Sequence, residues 1–271
     1  MLLATLVAQT GKVNSFDCGA GVDDEPRPIG QRAAISTQRR KWARAASGWE
    51  HHGMVGLSLV IDAVLAEAGP GPVGVAIDVG AGTGAVAVPL AAYAERVIAL
   101  DVSRSMLDEL EARAEREGVD NIEVRVAAIE EFDMEPASVD LVVSNYAVHH
   151  LLDRDKRAFV ERVTTWLRPG GKLIIGDMMF GRGVTATDRA IIGNKVRIML
   201  RRGPGGWWRL VKNGWRFATR TVERPISVEA WVALLRDAGL VAASGYRVVA
   251  EAAVVTAMQP VCPGVLPDTT R

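Results

Sequence analysis

The sequence predicts an α/β fold: a doubly wound, mostly parallel sheet of seven strands with an antiparallel hairpin at its C-terminal end. Three observations carry this reading. Apolar runs of strand length alternate with helical patterns from Val73 to Ile175, and that alternation builds a parallel sheet with helices on both faces. Between the first strand and the next helix lies Gly80-Ala81-Gly82-Thr83-Gly84, a turn whose glycines let the backbone come close to a ligand. Toward the other end, Val241 to Val249 and Ala252 to Met258 are separated by two residues, the spacing of a tight hairpin.

In chain order, residues 1–35 scatter Gly19, Gly21, Pro26, Pro28 and Gly30 among polar residues without periodicity, as in a flexible tail. The apolar start, Leu2 to Ala8, is short and has no preceding Lys or Arg. It reads as a frayed or over-long start, with a secretory signal as the lesser alternative. Residues 36–72 form a helical segment, with Leu57, Val60, Ile61 and Leu65 at helical spacing and Gly69-Pro70-Gly71-Pro72 ending it. Residues 73–260 are the main domain. Strand one is Val73 to Val79, and a helix is expected over Ala85 to Ala94, with Pro89 near its first turn. Strand two, Arg96 to Leu100, stops at Asp101; Ser103 is placed to cap a helix whose Met106, Leu107, Leu110 and Ala114 share one face, and Gly118 ends it. Ile122 to Val126 and Val139 to Ser144 are strands three and four. Asp153 and Asp155 open a helix with Phe159, Val160, Val163, Trp166 and Leu167 inward. Pro169-Gly170-Gly171 turns the chain into strand five, Lys172 to Ile175, and the last helix, Val228 to Ala238, is capped by Ser227 and closed by Gly239. A basic helical insert occupies 181–226, and 261–271 form a second flexible tail.

At 271 residues and 49% hydrophobic, the chain can bury a full core as one large domain. Lys+Arg 32 balances Asp+Glu 32, so global charge selects neither nucleic acid nor an acidic partner. Cys18 and Cys262 lie in the two tails, with no disulfide framework and no zinc spacing, which fits a reducing cytoplasm. No run reaches the ~20 apolar residues of a membrane span. The four histidines form two adjacent pairs, His51-His52 and His149-His150, with no carboxylate pattern to fix an ion, so no metal is expected.

The glycines alone do not decide the ligand, because Gly80-x-Gly82-x-x-Ala85 also fits a loose dinucleotide fingerprint. Asp78 decides more. A carboxylate at the end of strand one repels a pyrophosphate and favours an ammonium group. S-adenosylmethionine carries an ammonium and a sulfonium and no phosphate. Asp101, closing the adjacent strand, has the two oxygens needed to accept both ribose hydroxyls.

Four segments in register then carry a resemblance: Asp78 to Gly84, Asp101 to Leu107, Asp140 to Leu151, and Leu167 to Leu173. In order and spacing they resemble the successive motifs of class I S-adenosylmethionine-dependent methyltransferases, strongly over Val73 to Ile175 and loosely over Val228 to Met258. The chain is most similar to the small-molecule branch that includes the ubiquinone and menaquinone C-methyltransferases. The resemblance implies the Rossmann-like methyltransferase fold and S-adenosylmethionine as cofactor. It places Gly80, Gly82 and Gly84 along the methionine end, Asp101 at the ribose, and Val102 and Met106 near the adenine. It implies that Asn145 and Tyr146 face the methionine part and the methyl group. The chain departs from the family in one place: an Asp that bonds the adenine amino group is replaced by Ala128, followed by Ile129 and Glu130. Backbone groups of Ala128 and Ile129, or a rotated Glu130, are the alternatives.

Methyl transfer needs the nucleophile held in line and water kept out, so a base is optional. His149 is the candidate base, beside His150, because imidazole titrates near neutrality and the pair follows the strand end that faces substrate. The competing reading is that the pair only starts a helix or packs in the loop. Ser144-Asn145-Tyr146-Ala147 lacks the Asn-Pro-Pro-Tyr type sequence of base-amino methylases. From Gly181 to Arg224, eleven basic residues face only Asp188 and Glu223, interleaved with Trp207, Trp208, Trp215 and Phe217. That pattern reads as a lid over a hydrophobic acceptor, as peripheral contact with an anionic membrane, as a nucleic-acid footprint, or as a helical cap with solvated arginines. Trp42 and Trp49 are placed to close the other side. The expectation is a cytoplasmic, membrane-associated or free, methyltransferase acting on O or C of a small apolar or aromatic acceptor. An RNA methyltransferase, a non-catalytic S-adenosylmethionine-binding regulatory module and a nicotinamide reductase are the alternatives.

Overall fold

The computed structural model describes residues 55–181 and 224–261, together with Arg189, Ala190, Gly193 and Arg197 of the intervening segment. The predicted tails, the first part of the helical segment with Trp42 and Trp49, and nearly all of the basic insert lie outside the described residues. So does the His51-His52 pair.

The element order is α1 (Val55–Ala68), β1 (Val73–Val79), α2 (Ala87–Leu90), β2 (Ala94–Asp101), α3 (Arg104–Glu117), β3 (Ile122–Val126), β4 (Val139–Asn145), a 3-10 turn (Val148–His150), α4 (Asp153–Trp166), β5 (Leu167–Met178), α5 (Val228–Asp237), β6 (Val241–Val249) and β7 (Ala252–Met258). The seven strands form one sheet in the order β3-β2-β1-β4-β5-β7-β6. β1 through β5 pair in parallel, and β7 inserts antiparallel between β5 and β6. The chain order reverses at β1, where β2 lies on one side and β4 on the other, so a crevice opens at the carboxyl ends of these strands.

The alternation along each strand divides the core into two layers. Ile77, Val79, Ile98, Leu100 and Val142 point to the face covered by α4 and α5, through Phe159, Val160, Val163, Trp166, Trp231 and Leu235. Ala76, Val97, Ala99, Leu141 and Val143 point to the opposite face, under Val60 and Val64 of α1, Leu90 of α2, and Leu107 and Leu110 of α3. Trp166 is fully buried; its indole N–H donates to Asp133 at 2.6 Å and its ring meets Phe132 edge-on at 5.7 Å.

Three boundaries differ from the sequence reading, each for a tertiary reason. The helix expected over Ala85 to Ala94 shrinks to Ala87–Leu90, because Ala94 is drawn into the sheet opposite Val73 and the chain must turn before it. Strand five runs from Leu167 to Met178 and absorbs Pro169-Gly170-Gly171. Leu167 already pairs with Val139 across an irregularity, and pairing with β7 continues to Met178. The Ser103 hydroxyl makes no cap hydrogen bond; it lies 3.1 Å from the Ser105 hydroxyl, and the Ser103 N–H is taken by Asp101. The Ser227 cap does form, accepting from the Ala230 N–H, and Gly118 ends α3 in the left-handed region.

Trp166→Ala removes one of the two fully buried tryptophans among the described residues, and the donor to Asp133. It should lower unfolding free energy by about 3–5 kcal/mol, read as a reduced urea midpoint with the sheet signature of the circular dichroism spectrum retained.

Candidate functional site

At the carboxyl ends of β1, β2 and β4 the structure opens a solvent-accessible cleft with a cavity volume of about 100 Å³. Its floor is the glycine loop. The Gly80 and Ala81 N–H groups both donate to the Leu100 carbonyl, and the Gly82 N–H donates to Asp101 Oδ2 at 2.9 Å, so β2 holds the loop. Gly80 and Gly84 have φ of 79° and 83°, where a side chain is strained. Close packing adds a second reason: a Cβ on Gly80 would collide with the Ala147 Cβ, and one on Gly84 would meet Leu110 Cγ at 2.8 Å. At Gly82 the added Cβ would meet nothing nearer than Met106 Cε at 3.9 Å. Gly82 thus borders the open space, while Gly84 belongs to the packing beneath it.

Asp78 is 1% exposed and points into this cleft from β1. Among the described residues neither carboxylate oxygen has a hydrogen-bond partner. Burial pushes its carboxyl up to about 7; the nearby Ala87 backbone amide offsets this in part and the charge of Asp101 adds to it. Asp101 differs in being satisfied. Its Oδ1 accepts from the Ser103 N–H at 2.8 Å and its Oδ2 from Gly82, so burial raises its carboxyl but three backbone amides, those of Ser103, Gly82 and Val102, oppose the shift. Each oxygen keeps a lone pair for a further donor.

From β4, Ser144 ties its hydroxyl to the Val79 carbonyl at 2.9 Å and fixes the two strand ends together. Asn145 follows; its Oδ1 is buried with no partner. Tyr146 has φ of 52°, in the left-handed region uncommon for non-glycine residues, and its N–H donates to the Gly176 carbonyl at 2.8 Å. Such strain costs on the order of 1–3 kcal/mol and gathers at sites where a side chain must be aimed. The phenol borders the cleft and burial pushes it up to about 12. Leu57 and Ile61 of α1 wall the cleft from above. α1 can sit that low because position 176 is glycine: a Cβ there would meet Val64 Cγ2 at 2.5 Å and Val60 Cγ1 at 2.9 Å.

Of the predicted residues, Asp78, Gly80, Gly82, Asp101, Val102, Met106, Ile129, Asn145 and Tyr146 line the cleft together. Gly84, Ala128 and His149 do not. Ala128 is buried; its carbonyl takes the N–H groups of Glu131 and Phe132. His150 lines the cleft instead of His149, with the two rings 3.9 Å apart. His149 forms a buried pair with Asp177: Nδ1 lies 2.6 Å from Oδ1, the His149 N–H donates to Oδ2 at 2.9 Å, and the Met178 N–H donates to Oδ1. Two backbone N–H groups, those of His149 and Met178, donate to the Asp177 carboxyl, and Nδ1 lies against it, so the ring nitrogen turned away from Asp177 is Nε2. Asp177 and the cleft-lining Thr83, Leu57 and Ile61 were not assigned site roles from the sequence. Only Thr83 carries a local signal, being inside the glycine loop. Among the described residues there is no group of three His, Cys, Asp or Glu side chains that could hold a metal ion.

The cleft can therefore hold a ligand that brings positive charge or N–H donors to Asp78 and Asn145, hydroxyls to Asp101 and a flat apolar group to Val102, Met106 and Ile129. Comparison with known proteins agrees. Residues 76–171, about a third of the chain, match a family model described as a methyltransferase domain. An uncharacterized Escherichia coli K12 protein, YafE, is 36% identical over 83 residues, which cover 31% of this chain and 39% of that protein. The chain spans about two fifths or less of the length of the curated relatives it matches. Among solved structures, the DhpI–SAH complex superposes with a TM-score of 0.61 at 21% identity, over 84% of this chain and 98% of that one. The Burkholderia thailandensis 1,6-didemethyltoxoflavin-N1-methyltransferase, solved with 1,6-didemethyltoxoflavin and S-adenosylhomocysteine, gives 0.60 at 19% identity, over 91% and 98%. Those two likenesses show the fold, and the family match adds that residues 76–171 are similar to a methyltransferase domain.

Proposed function

We propose that the chain is an S-adenosylmethionine-dependent methyltransferase acting on O or C of a small apolar or aromatic acceptor. The observation that carries this is the pair of buried, unpartnered acceptors, Asp78 and Asn145 Oδ1, at the mouth of a glycine loop. Left unmet, such atoms cost ~1–3 kcal/mol each, more for a charge. An amino-acid ammonium supplies the missing donors, and a phosphate does not. Bound S-adenosylmethionine supplies a methyl group on a sulfonium that needs no further activation.

The protein's own part is then binding, orientation and exclusion of water. Asp78 and Asn145 anchor the ammonium, Asp101 the ribose, and Gly82 leaves room for backbone approach. Leu57, Ile61 and Tyr146 enclose the reacting end and keep water out. We retain His149 as the candidate base although it does not line the cleft: it is held on Asp177, and its ring lies 3.9 Å from that of His150, which does. The small-molecule preference is supported by the apolar wall from α1 and by the small-molecule ligand of the Burkholderia neighbour. The lid, membrane and nucleic-acid readings of the basic insert fall on residues outside the described ones, and we retain the lid. Among the described residues no helix is long and apolar enough to cross a membrane; cytoplasmic residence, free or at a membrane surface, is part of the proposal.

Incubating a host extract with isotopically labelled S-adenosylmethionine and the protein, followed by mass spectrometry, tests the acceptor. A labelled small metabolite is expected. Label in RNA would move the assignment to the nucleic-acid reading, and no label to a regulatory module. With the acceptor in hand, His149→Gln should lower kcat by about 10²-fold or more without changing the affinity for S-adenosylmethionine; an unchanged kcat would remove the base.

The Asp78 carboxyl gives a second, pH-resolved test. Its proton is bound more tightly in the folded state (about 7) than in the unfolded chain (about 3.9). Stability without ligand therefore falls as pH climbs from about 4 to about 7 and levels off above. Asp78→Asn should flatten that slope and raise unliganded stability at pH 8, by an amount on the order of 2–4 kcal/mol. The same change should weaken S-adenosylmethionine binding tenfold or more in calorimetry. Tight NADH binding with none for S-adenosylmethionine would overturn the cofactor assignment.

A further inference from the structure

We infer that ligand binding in this cleft is a proton exchange: the Asp78 carboxyl carries a hydrogen in the free protein and releases it to solvent when a ligand ammonium takes its place. The inference rests on the reading of the cleft as the S-adenosylmethionine site and adds that the affinity of that site is tied to pH.

The geometry around Asp78 favours a proton. The side chain is 1% exposed, and among the described residues neither oxygen accepts a hydrogen bond. Four N–H groups of the glycine loop are committed elsewhere: Gly80 and Ala81 to the Leu100 carbonyl, Gly82 to Asp101, and Gly84 to the Ala81 carbonyl. The Ala87 amide opposes protonation in part, yet it makes no hydrogen bond to the carboxyl. A negative charge placed there loses its solvation and meets the like charge of Asp101, and a bound proton removes both costs. An ammonium removes them too, by bringing donors and the opposite charge, but only to the ionised carboxylate. Proton and ammonium therefore compete for one group.

The other titratable side chains that border the cleft are Asp101 at the end of β2 and Tyr146 and His150 after β4. α1, α3 and the loop after β3 present only apolar side chains to it, and no described Lys or Arg lines it. The Tyr146 phenol, pushed up to about 12, stays neutral. Asp101 is raised by burial, but the Gly82 and Ser103 N–H groups on its oxygens support its ionised form, as nothing does for Asp78 among the described residues. Asp101 and His150 are thus the groups from which Asp78 must be separated by experiment.

The probes are S-adenosylhomocysteine and methylthioadenosine, which keeps the base, ribose and sulfur but lacks the amino-acid end. The competing proton is held below the folded value and lost above it, so binding weakens as pH falls. With the carboxyl at about 7, the dissociation constant of S-adenosylhomocysteine on the full-length protein should rise roughly 10–30-fold from pH 7.5 to pH 5.5. Calorimetry at pH 6 in buffers of different ionisation enthalpy should show release of about one proton per ligand. Asp78→Asn should bind S-adenosylhomocysteine with no such release and with a dissociation constant that changes less than threefold over the same range. Methylthioadenosine, a measurement that needs no variant, should show the same flat response on the unaltered protein, although it still brings ribose to Asp101. Binding of S-adenosylhomocysteine without proton release, or equal release by the Asp78→Asn protein or by methylthioadenosine, overturns this inference and leaves the cofactor assignment standing. Failure of S-adenosylhomocysteine to bind at any pH overturns the cofactor assignment, and this inference with it.

Discussion

Asp78 sits almost wholly inside the protein at the end of β1, with neither oxygen hydrogen-bonded, and Asp101 is close enough to raise its proton affinity further. A fold does not keep such a group for its own stability, since an unpaired buried carboxylate is among the most costly side chains to hold. Among the described residues the surrounding elements leave that cost to be relieved by a proton or by a ligand. β2 pins the glycine loop through Leu100 and Asp101, so the loop cannot fold over Asp78 and donate to it. Ser144 fixes the end of β4 against Val79, which keeps Asn145 at its own unsatisfied position next door. The cofactor site is, in this sense, a deficit of donors held open by well-satisfied neighbours.

The same contrast separates what was legible in the sequence from what was not. The alternation of strands and helices, the placement of strand two beside strand one and most cleft residues followed from local signals: apolar runs, a glycine turn, and acidic residues at two adjacent strand ends. Where a residue's side chain goes after its strand ends was less legible. Gly84, Ala128 and His149 sit in the right segments, yet the structure turns them into the packing: Gly84 under Leu110, Ala128 into a turn, and His149 onto Asp177. Each outcome depends on a partner between 20 and 30 residues away in sequence, or on a tight turn's hydrogen bonds, and no periodicity encodes that. Leu57 and Ile61 were visible only as an amphipathic stripe; their place over the cleft depends on Gly176, more than 100 residues later, letting α1 settle on β5.

The turn after β4 shows how strain and electrostatics divide the work at the reacting end. Tyr146 takes a left-handed backbone conformation and spends one hydrogen bond, to the Gly176 carbonyl, holding it. That kink sends the phenol toward the cleft and lets the following 3-10 turn place His149 against Asp177 and His150 on the wall. A phenol pushed up to about 12 stays neutral across physiological pH, so it offers a donor and an aromatic face but no charge. Its neighbour is the opposite kind of group. The Asp177 carboxyl accepts two backbone N–H groups and meets His149 Nδ1, which fixes the orientation of that ring.

The two ends of the cleft therefore follow opposite rules of recognition. At the ammonium end, acceptors are in excess and specificity comes from charge, so the penalty for a wrong ligand is an unpaired buried carboxylate. At the other end, Val102, Met106 and Ile129 present apolar side chains, and the Ile129 and Glu130 carbonyls accept from Arg162 of α4. The loop that carries Ile129 is anchored to β2 at its start, through the Ala127 N–H to the Asp101 carbonyl, and to α4 at its end. Both anchors stand on one buried layer, to which Ile98, Leu100, Val160 and Val163 belong. The apolar end of the cleft thus takes its shape from core packing, whereas the polar character of the opposite end is set by two side chains, Asp78 and Asn145.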